Sequence, residues 1–267
     1  MLKGKKIAQS IEKQLKEKIK QKNIQPGLAV ILIGQNPASK IYVSLKEKAA
    51  QRIGIKVKKI LLPGKTSFKK VVDLIKKLNQ DKKTHGIVIQ LPLPSHLNSK
   101  KIISCLSPEK DVDGFLKNSK FISPVHQAIL ELIKQSKKNL KNKSGLILSK
   151  KNSIFAQNLE KLLEAKKIKT KNLAIKNNLP QKEIKKADLL ITILGQPEII
   201  KPEMVNKKAV LIDVGYSQRK GKSFGDLDKK IYQKIETVSP VPGGIGPLTV
   251  VYLLKNVVKA AEKIKNN

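Results

Sequence analysis

The chain has 267 residues, 40% of them apolar, a single cysteine and a formal net charge of +36 at pH 7. That length supports one large domain or two of ordinary size; Cys105 alone excludes an internal disulfide, and His85, His96 and His126 are too scattered for metal-ligand spacing. Arg52 and Arg219 are the only arginines and aromatics make up 3%, so a chain this poor in bidentate readers and stacking rings is not expected to bind nucleic acid, and its lysines read as a solvated surface.

In chain order, Ile7, Ile11, Leu15 and Ile19 recur at helical spacing and predict a helix over 5 to 21, which Pro26-Gly27 ends. The start, Met1-Leu-Lys-Gly-Lys-Lys6, lacks a signal-peptide core. No apolar run approaches the roughly 20 residues of a membrane span, so a soluble, cytoplasmic protein without membrane association is expected. Leu28 to Ile33 is continuously apolar, as a strand buried on both faces of a parallel sheet should be. A helix over 38 to 53, a strand near 55 to 61, a helix over 67 to 79 and a strand from Gly86 to Leu91 follow. Ser107 to Phe115 reads as a polar loop and 124 to 135 as a helix.

The series resumes after a lysine- and asparagine-rich connection at 136 to 144. Strands are expected at 146 to 148, 173 to 175, 187 to 194 and 209 to 214, with a helix over 153 to 167. A last helix over about 248 to 264 presents Val250, Val251, Leu254, Val257, Val258 and Ala261 on one broad face, which needs a partner surface. The alternation predicts an α/β fold of two α/β domains, the second a Rossmann-like doubly wound parallel sheet. The first domain is expected over 1 to 120, with the helix of about 247 to 267 packing back on it, and the second over 121 to 246.

Several residues could carry chemistry. Tyr42 and Lys46 stand four apart and share a helix face; a phenol beside a lysine amine can donate or accept protons, although such pairs are common in a lysine-rich chain. Gln90 interrupts a buried strand at its carboxyl end, where open α/β sheets place ligands, and needs hydrogen-bond partners there. Asp111 and Asp113 flank one valine before Gly114; this reads either as a solvated Asp-Gly turn or as an acceptor for an amino-substituted heterocycle. Ser239 to Thr249 contains three prolines and three glycines, either a tight turn or a rigid wall facing a ligand.

Together, Ser39-x-x-Tyr-Val-x-x-Lys46, Val88-Ile-Gln-Leu-Pro-Leu-Pro94, Pro108-x-Lys-Asp-Val-Asp-Gly114, Ile212-Asp-Val-Gly215 and Pro240-Val-Pro-Gly-Gly-Ile-Gly-Pro-Leu-Thr249 resemble the methylenetetrahydrofolate dehydrogenase/cyclohydrolase family in order and approximate spacing, over nearly the whole chain. The resemblance implies a homodimer with folate in a cleft between the two domains. It implies NADP-dependent oxidation of 5,10-methylenetetrahydrofolate to the methenyl form and hydrolysis of that cation to 10-formyltetrahydrofolate. Lys46 matches the family's catalytic lysine, Tyr42 the tyrosine that orders the folate site, Gln90 the glutamine bonded to that lysine and Asp113 the aspartate that holds the pterin. Leu91, Pro92, Pro242, Gly243 and Gly244 match positions that wall the folate.

The cofactor half departs from the family. A Gly-Arg-Ser-x-x-Val-Gly-x-Pro segment, whose arginine and serine recognise the NADP phosphate, is replaced by Leu148-Ser-Lys-Lys-Asn-Ser-Ile-Phe-Ala-Gln157, without either glycine, the arginine or the proline. Loss of those glycines should narrow or close the phosphate site. Pro-Cys-Thr-Pro-x-Gly reads Phe121-Ile-Ser-Pro-Val-His126, and a His-Ser pair is replaced around Lys176-Asn-Asn178. Ser149, Lys150, Lys151 and Ser153, with Gly195, Gly215 and Tyr216 on segments that still match, are the remaining candidates for NADP. Three readings stay open: the bifunctional enzyme with an aberrant cofactor loop, a cyclohydrolase whose dinucleotide binding is lost or weakened, and a noncatalytic folate- or nucleic-acid-binding protein.

Overall fold

A computed structural model describes residues 1 to 265 except Asn152, Asn177 and Lys220. Asn177 therefore leaves the Lys176–Asn178 replacement partly outside the described residues. The chain divides into two compact units, one of Ala8–Gln127 with Thr249 onward, the other of Met1–Ile7 with Ala128–Leu248.

The elements run α1 (Gly4–Gln21), β1 (Gly27–Ile33), α2 (Pro37–Arg52), β2 (Lys56–Leu62), α3 (Phe68–Gln80), β3 (Gly86–Ile89), α4 (Ser99–Ile103) and α5 (Pro124–Gln135). They continue through β4 (Ser144–Ser149), α6 (Ile154–Glu164), β5 (Lys169–Ala174), α7 (Gln181–Lys186), β6 (Leu189–Ile193), β7 (Val210–Asp213), β8 (Ser217–Arg219), β9 (Lys222–Phe224), α8 (Ile231–Lys234) and α9 (Ile245–Lys265).

In the unit built on Ala8–Gln127 the sheet order is β2-β1-β3, all parallel. Strand β1, entirely apolar after Gly27, is buried at every residue and takes the centre, whereas β2 carries three lysines and forms an edge. Ile31, Ile75, Ile87 and Ile102 form part of its core. Helix α9 belongs to this unit from Thr249. Its Glu262 pairs with Lys18 of α1 at 2.9 Å, and its Val257 packs where Gly86 opens β3.

The other unit carries a parallel sheet ordered β5-β4-β6-β7 and a small antiparallel hairpin of β8 and β9. Its core gathers Leu148, Leu190, Leu211, Ile231 and Val238. The α/β class read from apolar periodicity holds in both units, and the parallel sheet expected of the second domain lies in this one. No helix among the described residues is long and apolar enough to cross a membrane.

Four differences from the expected elements matter. Strand β3 ends at Ile89, leaving Gln90 just beyond the ladder although its amide still donates to the Ile31 carbonyl at 2.9 Å. Helix α9 begins at Ile245, so Gly246 and Pro247 lie in its first turn; the first four helical amides need no internal acceptor, and a proline fits there. Helix α6 stops at Glu164, short of the expected 167. Helices α4, α7 and α8 and the β8–β9 hairpin were not expected, being too short to develop a period.

Candidate functional site

Helix α2 is started by its sequence. Asn36 accepts from the Ser39 amide at 3.0 Å and Pro37 occupies the first turn. One turn further along, Tyr42 and Lys46 share a face, with Tyr42 37% exposed. The Lys46 ammonium donates to Gln90 Oε1 at 3.0 Å, and Gln90 Nε2 donates to the Leu91 carbonyl at 2.8 Å. Ser39 Oγ donates to that same carbonyl at 3.4 Å. The end of β3 is thereby tied to the first turn of α2, and the Gln90 amide is oriented with its oxygen toward Lys46. Leu91 and Pro92 continue from it.

Asp113 sits in the loop before α5. Burial pushes its carboxyl above the ordinary aspartate range; the Lys46 charge opposes that shift and the Asp111 charge adds to it. Tyr42, Lys46, Gln90 and Asp113 thus lie in one unit, with Lys46 hydrogen-bonded to Gln90. Asp111 is a correction: it is no solvated turn residue but fully buried, accepting from the Phe115 amide at 3.2 Å and the Leu116 amide at 2.8 Å. Lys110, given no role by the sequence, is also buried, and its ammonium donates to the Leu78 and Asp81 carbonyls at 2.8 Å each. It caps the carboxyl end of α3, and burial holds its amine below the usual lysine value. At Gly114, φ is +67° and a methyl group would stand 2.7 Å from the Ser123 amide nitrogen, so only glycine closes the turn without strain.

Of the cofactor candidates in the other unit, three converge at the carboxyl ends of β4, β6 and β7. A methyl group on Gly195 would lie 3.8 Å from Lys150 Nζ and 3.6 Å from the Tyr216 carbonyl oxygen. The β4–α6 turn is internally satisfied: Ser149 Oγ donates to the Lys151 carbonyl at 2.9 Å, and Ser153 accepts from the Ala156 amide at 3.2 Å. Ile154, at the start of α6, is 72% exposed. Gly215 is required, because the Asp226 carboxylate fills the space of its missing side chain.

Asp226 and its neighbour Asp213 are the residues the sequence reading missed as a pair. Asp213 accepts from the amides of Asp226 at 3.0 Å and Leu227 at 2.9 Å, and Asp226 accepts from those of Leu194 and Gln196 at 2.6 and 2.8 Å. Burial pushes Asp213 up to about 7, with the Asp226 charge adding to the shift. The pair shapes the strand ends that carry Gly195 and Gly215. Asp213 ends an apolar strand inside a recognised motif, but Asp226 follows the polar β9, and nothing in the sequence joins the two.

Pro242, Gly243 and Gly244 belong to this unit as well. Their turn is closed by the Gly244 amide on the Pro240 carbonyl at 2.7 Å, and Lys5 donates its amide to the Gly243 carbonyl at 3.2 Å.

Residues 2–113 match the family described as "Tetrahydrofolate dehydrogenase/cyclohydrolase, catalytic domain", and residues 123–265 match "Tetrahydrofolate dehydrogenase/cyclohydrolase, NAD(P)-binding domain". The bifunctional protein FolD of Acetivibrio thermocellus is 36% identical over 98% of this chain and 96% of its own length. The crystal structure of the bifunctional FolD methylenetetrahydrofolate dehydrogenase/cyclohydrolase from Campylobacter jejuni superposes with a TM-score of 0.92 at 33% identity, covering 98% of each chain. The Trypanosoma brucei enzyme, whose crystal structure is a complex with NADP cofactor and inhibitor, gives a TM-score of 0.92 at 27% identity over 99% of this chain and 98% of its own.

Proposed function

This chain belongs to the tetrahydrofolate dehydrogenase/cyclohydrolase family, and on that premise we propose that it interconverts one-carbon tetrahydrofolates, oxidising 5,10-methylenetetrahydrofolate to the methenyl form with NADP and hydrolysing that cation to 10-formyltetrahydrofolate. The observation that carries the reading is the Lys46–Gln90 hydrogen bond, at 3.0 Å, in the unit that also holds Tyr42 and Asp113.

The chemistry follows from the donors. A lysine ammonium has three N–H donors. Gln90 takes one and holds the side chain in place, leaving the others for the substrate's reacting centre and for the water that attacks it. Asp113, raised by burial, can accept from the amino group and ring nitrogen of a pterin or share a proton with them. Tyr42, Leu91 and Pro92 supply ring and apolar surface against which a planar substrate can lie. Pro242, Gly243 and Gly244 lie in the other unit, and their assignment to folate rests on the resemblance alone. The family's homodimer and a cytoplasmic setting are carried over on the same basis.

Bound NADP would supply the hydride acceptor for oxidation of the methylene carbon. Lys150, which reaches the Gly195 strand end, and its neighbour Lys151 would meet its phosphates as cations, with the Ser153 hydroxyl beside them; the Ser149 hydroxyl is already donated to the Lys151 carbonyl. Gly195, Gly215 and Tyr216 would form the adjoining edge. One observation favours a second reading, in which the cyclohydrolase persists and dinucleotide binding is weakened. The β4–α6 turn contains no glycine among its described residues, and Ser153 already satisfies the Ala156 amide.

Two assays on the purified protein test both readings. Decay of methenyltetrahydrofolate absorbance should be accelerated by the protein and not by Lys46→Met; equal hydrolysis by the variant would remove Lys46 from the site. Methylenetetrahydrofolate supplied with NADP or NAD should yield the methenyl form and reduced cofactor. Silence in this second assay, with hydrolysis intact, would select the cyclohydrolase-only reading.

A further inference from the structure

We infer that Asp111 is a positioning residue for Asp113, fixing where that carboxylate stands, an inference that rests on the reading of Asp113 as a folate ligand. The two aspartates are separated by Val112 alone. Asp111 faces inward: one oxygen accepts from the Phe115 amide at 3.2 Å and the other from the Leu116 amide at 2.8 Å. Its backbone carbonyl accepts from the Gly114 amide and from Ser119 Oγ, both at 3.0 Å. A single residue thus closes the chain from 111 to 119 on itself, with Asp113 carried on the closed segment.

The segment is anchored on three sides. Lys110 ties its start to the end of α3. The Lys110 carbonyl accepts from the Ile87 amide at 2.9 Å, extending the hydrogen bonding of β3. Asn256 of α9, itself buried, donates to the Val112 carbonyl at 2.9 Å. With both neighbours immobilised, Asp113 is left little conformational freedom, which is what a carboxylate that must meet a planar ligand in one orientation requires.

Asp111→Asn keeps the side chain's shape but leaves one oxygen to serve two amides and sets an NH2 group against the other, so KM for methenyltetrahydrofolate should rise with kcat little changed. Asp111→Ala removes both acceptors and should raise KM further, lowering kcat/KM by up to about 10²-fold through misplacement. Thermal unfolding of both variants confirms that folded protein is compared. A folded Asp111→Ala protein with the parent's KM would overturn the inference. Asp113→Ala serves as the control: retained folate binding there would refute the reading of Asp113 itself, and the inference with it.

Discussion

Lys46 and Gln90, 44 residues apart, are joined by a 3.0 Å hydrogen bond from the ammonium to Gln90 Oε1, and the amide nitrogen of Gln90 is held by the Leu91 carbonyl. A glutamine held at both ends has one orientation, and it presents an acceptor to the lysine. Gln90→Leu removes that acceptor and lets the ammonium wander. The expected loss is about 10²- to 10³-fold in kcat for methenyl hydrolysis, comparable with removal of one preorganised polar group from an active site. Steady-state kinetics decide it, and a change in KM alone would assign Gln90 to binding instead.

Gly114 is predicted to be intolerant of a side chain. Its φ of +67° and the 2.7 Å approach to the Ser123 amide nitrogen oppose even a methyl group. Gly114→Ala should destabilise the protein by about 1–3 kcal/mol, read as a lowered urea midpoint, and should weaken folate binding because Asp113 is its neighbour.

Lys110→Met replaces a buried ammonium by an isosteric apolar chain and leaves the Leu78 and Asp81 carbonyls without their donor. The desolvated charge is relieved, but two acceptors lose partners; hydrogen bonds to charged groups contribute about 1.5–3 kcal/mol each. A net destabilisation of about 1–3 kcal/mol is expected in denaturant unfolding, and an unchanged midpoint would show that burial of the ammonium cancels the bonds it makes.

Asp213 makes stability depend on pH with a defined sign. Its carboxyl is raised in the folded protein from 3.8 to about 7. Between those values the folded state binds more protons than the unfolded chain, so the contribution is full below about pH 4 and is lost as pH rises through about 7. Asp81 and Asp228, both lowered, act in the opposite sense. The readout is therefore the difference between the parent and Asp213→Asn in unfolding free energy from pH 4 to 8. That difference should shift against the parent as pH rises; a constant difference would contradict the shift.

Lys150→Gln tests the dinucleotide edge without touching the unit that holds Lys46. If its ammonium serves a phosphate, KM for NADP should rise about tenfold, as expected for loss of one charge-assisted hydrogen bond. Methenyl hydrolysis should persist. An unaltered KM would leave Lys150 a surface lysine of the Gly195 strand end.

Apolar periodicity, a property of neighbours in sequence, determined the α/β class, the positions of the longer helices and the burial of β1, because a strand covered on both faces must be apolar throughout. Motif order likewise singled out Tyr42, Lys46, Gln90 and Asp113 as candidates, and the tertiary structure puts them in one unit. What the sequence could not express was the environment of a charge. Lys110 and Asp111 are letters in a loop that reads as solvated, and only tertiary contacts decided that α3 supplies carbonyls to one while the other accepts amides from its own turn. Asp213 and Asp226 are 13 residues apart, and they became a pair because the chain after β7 returns through Gly225 against the Asp213 carboxylate. The same distinction separates the two sets of candidates: those proposed for folate follow from the order of motifs along the chain, whereas the convergence of Lys150, Gly195 and Tyr216 depends on which strand ends lie side by side in the sheet.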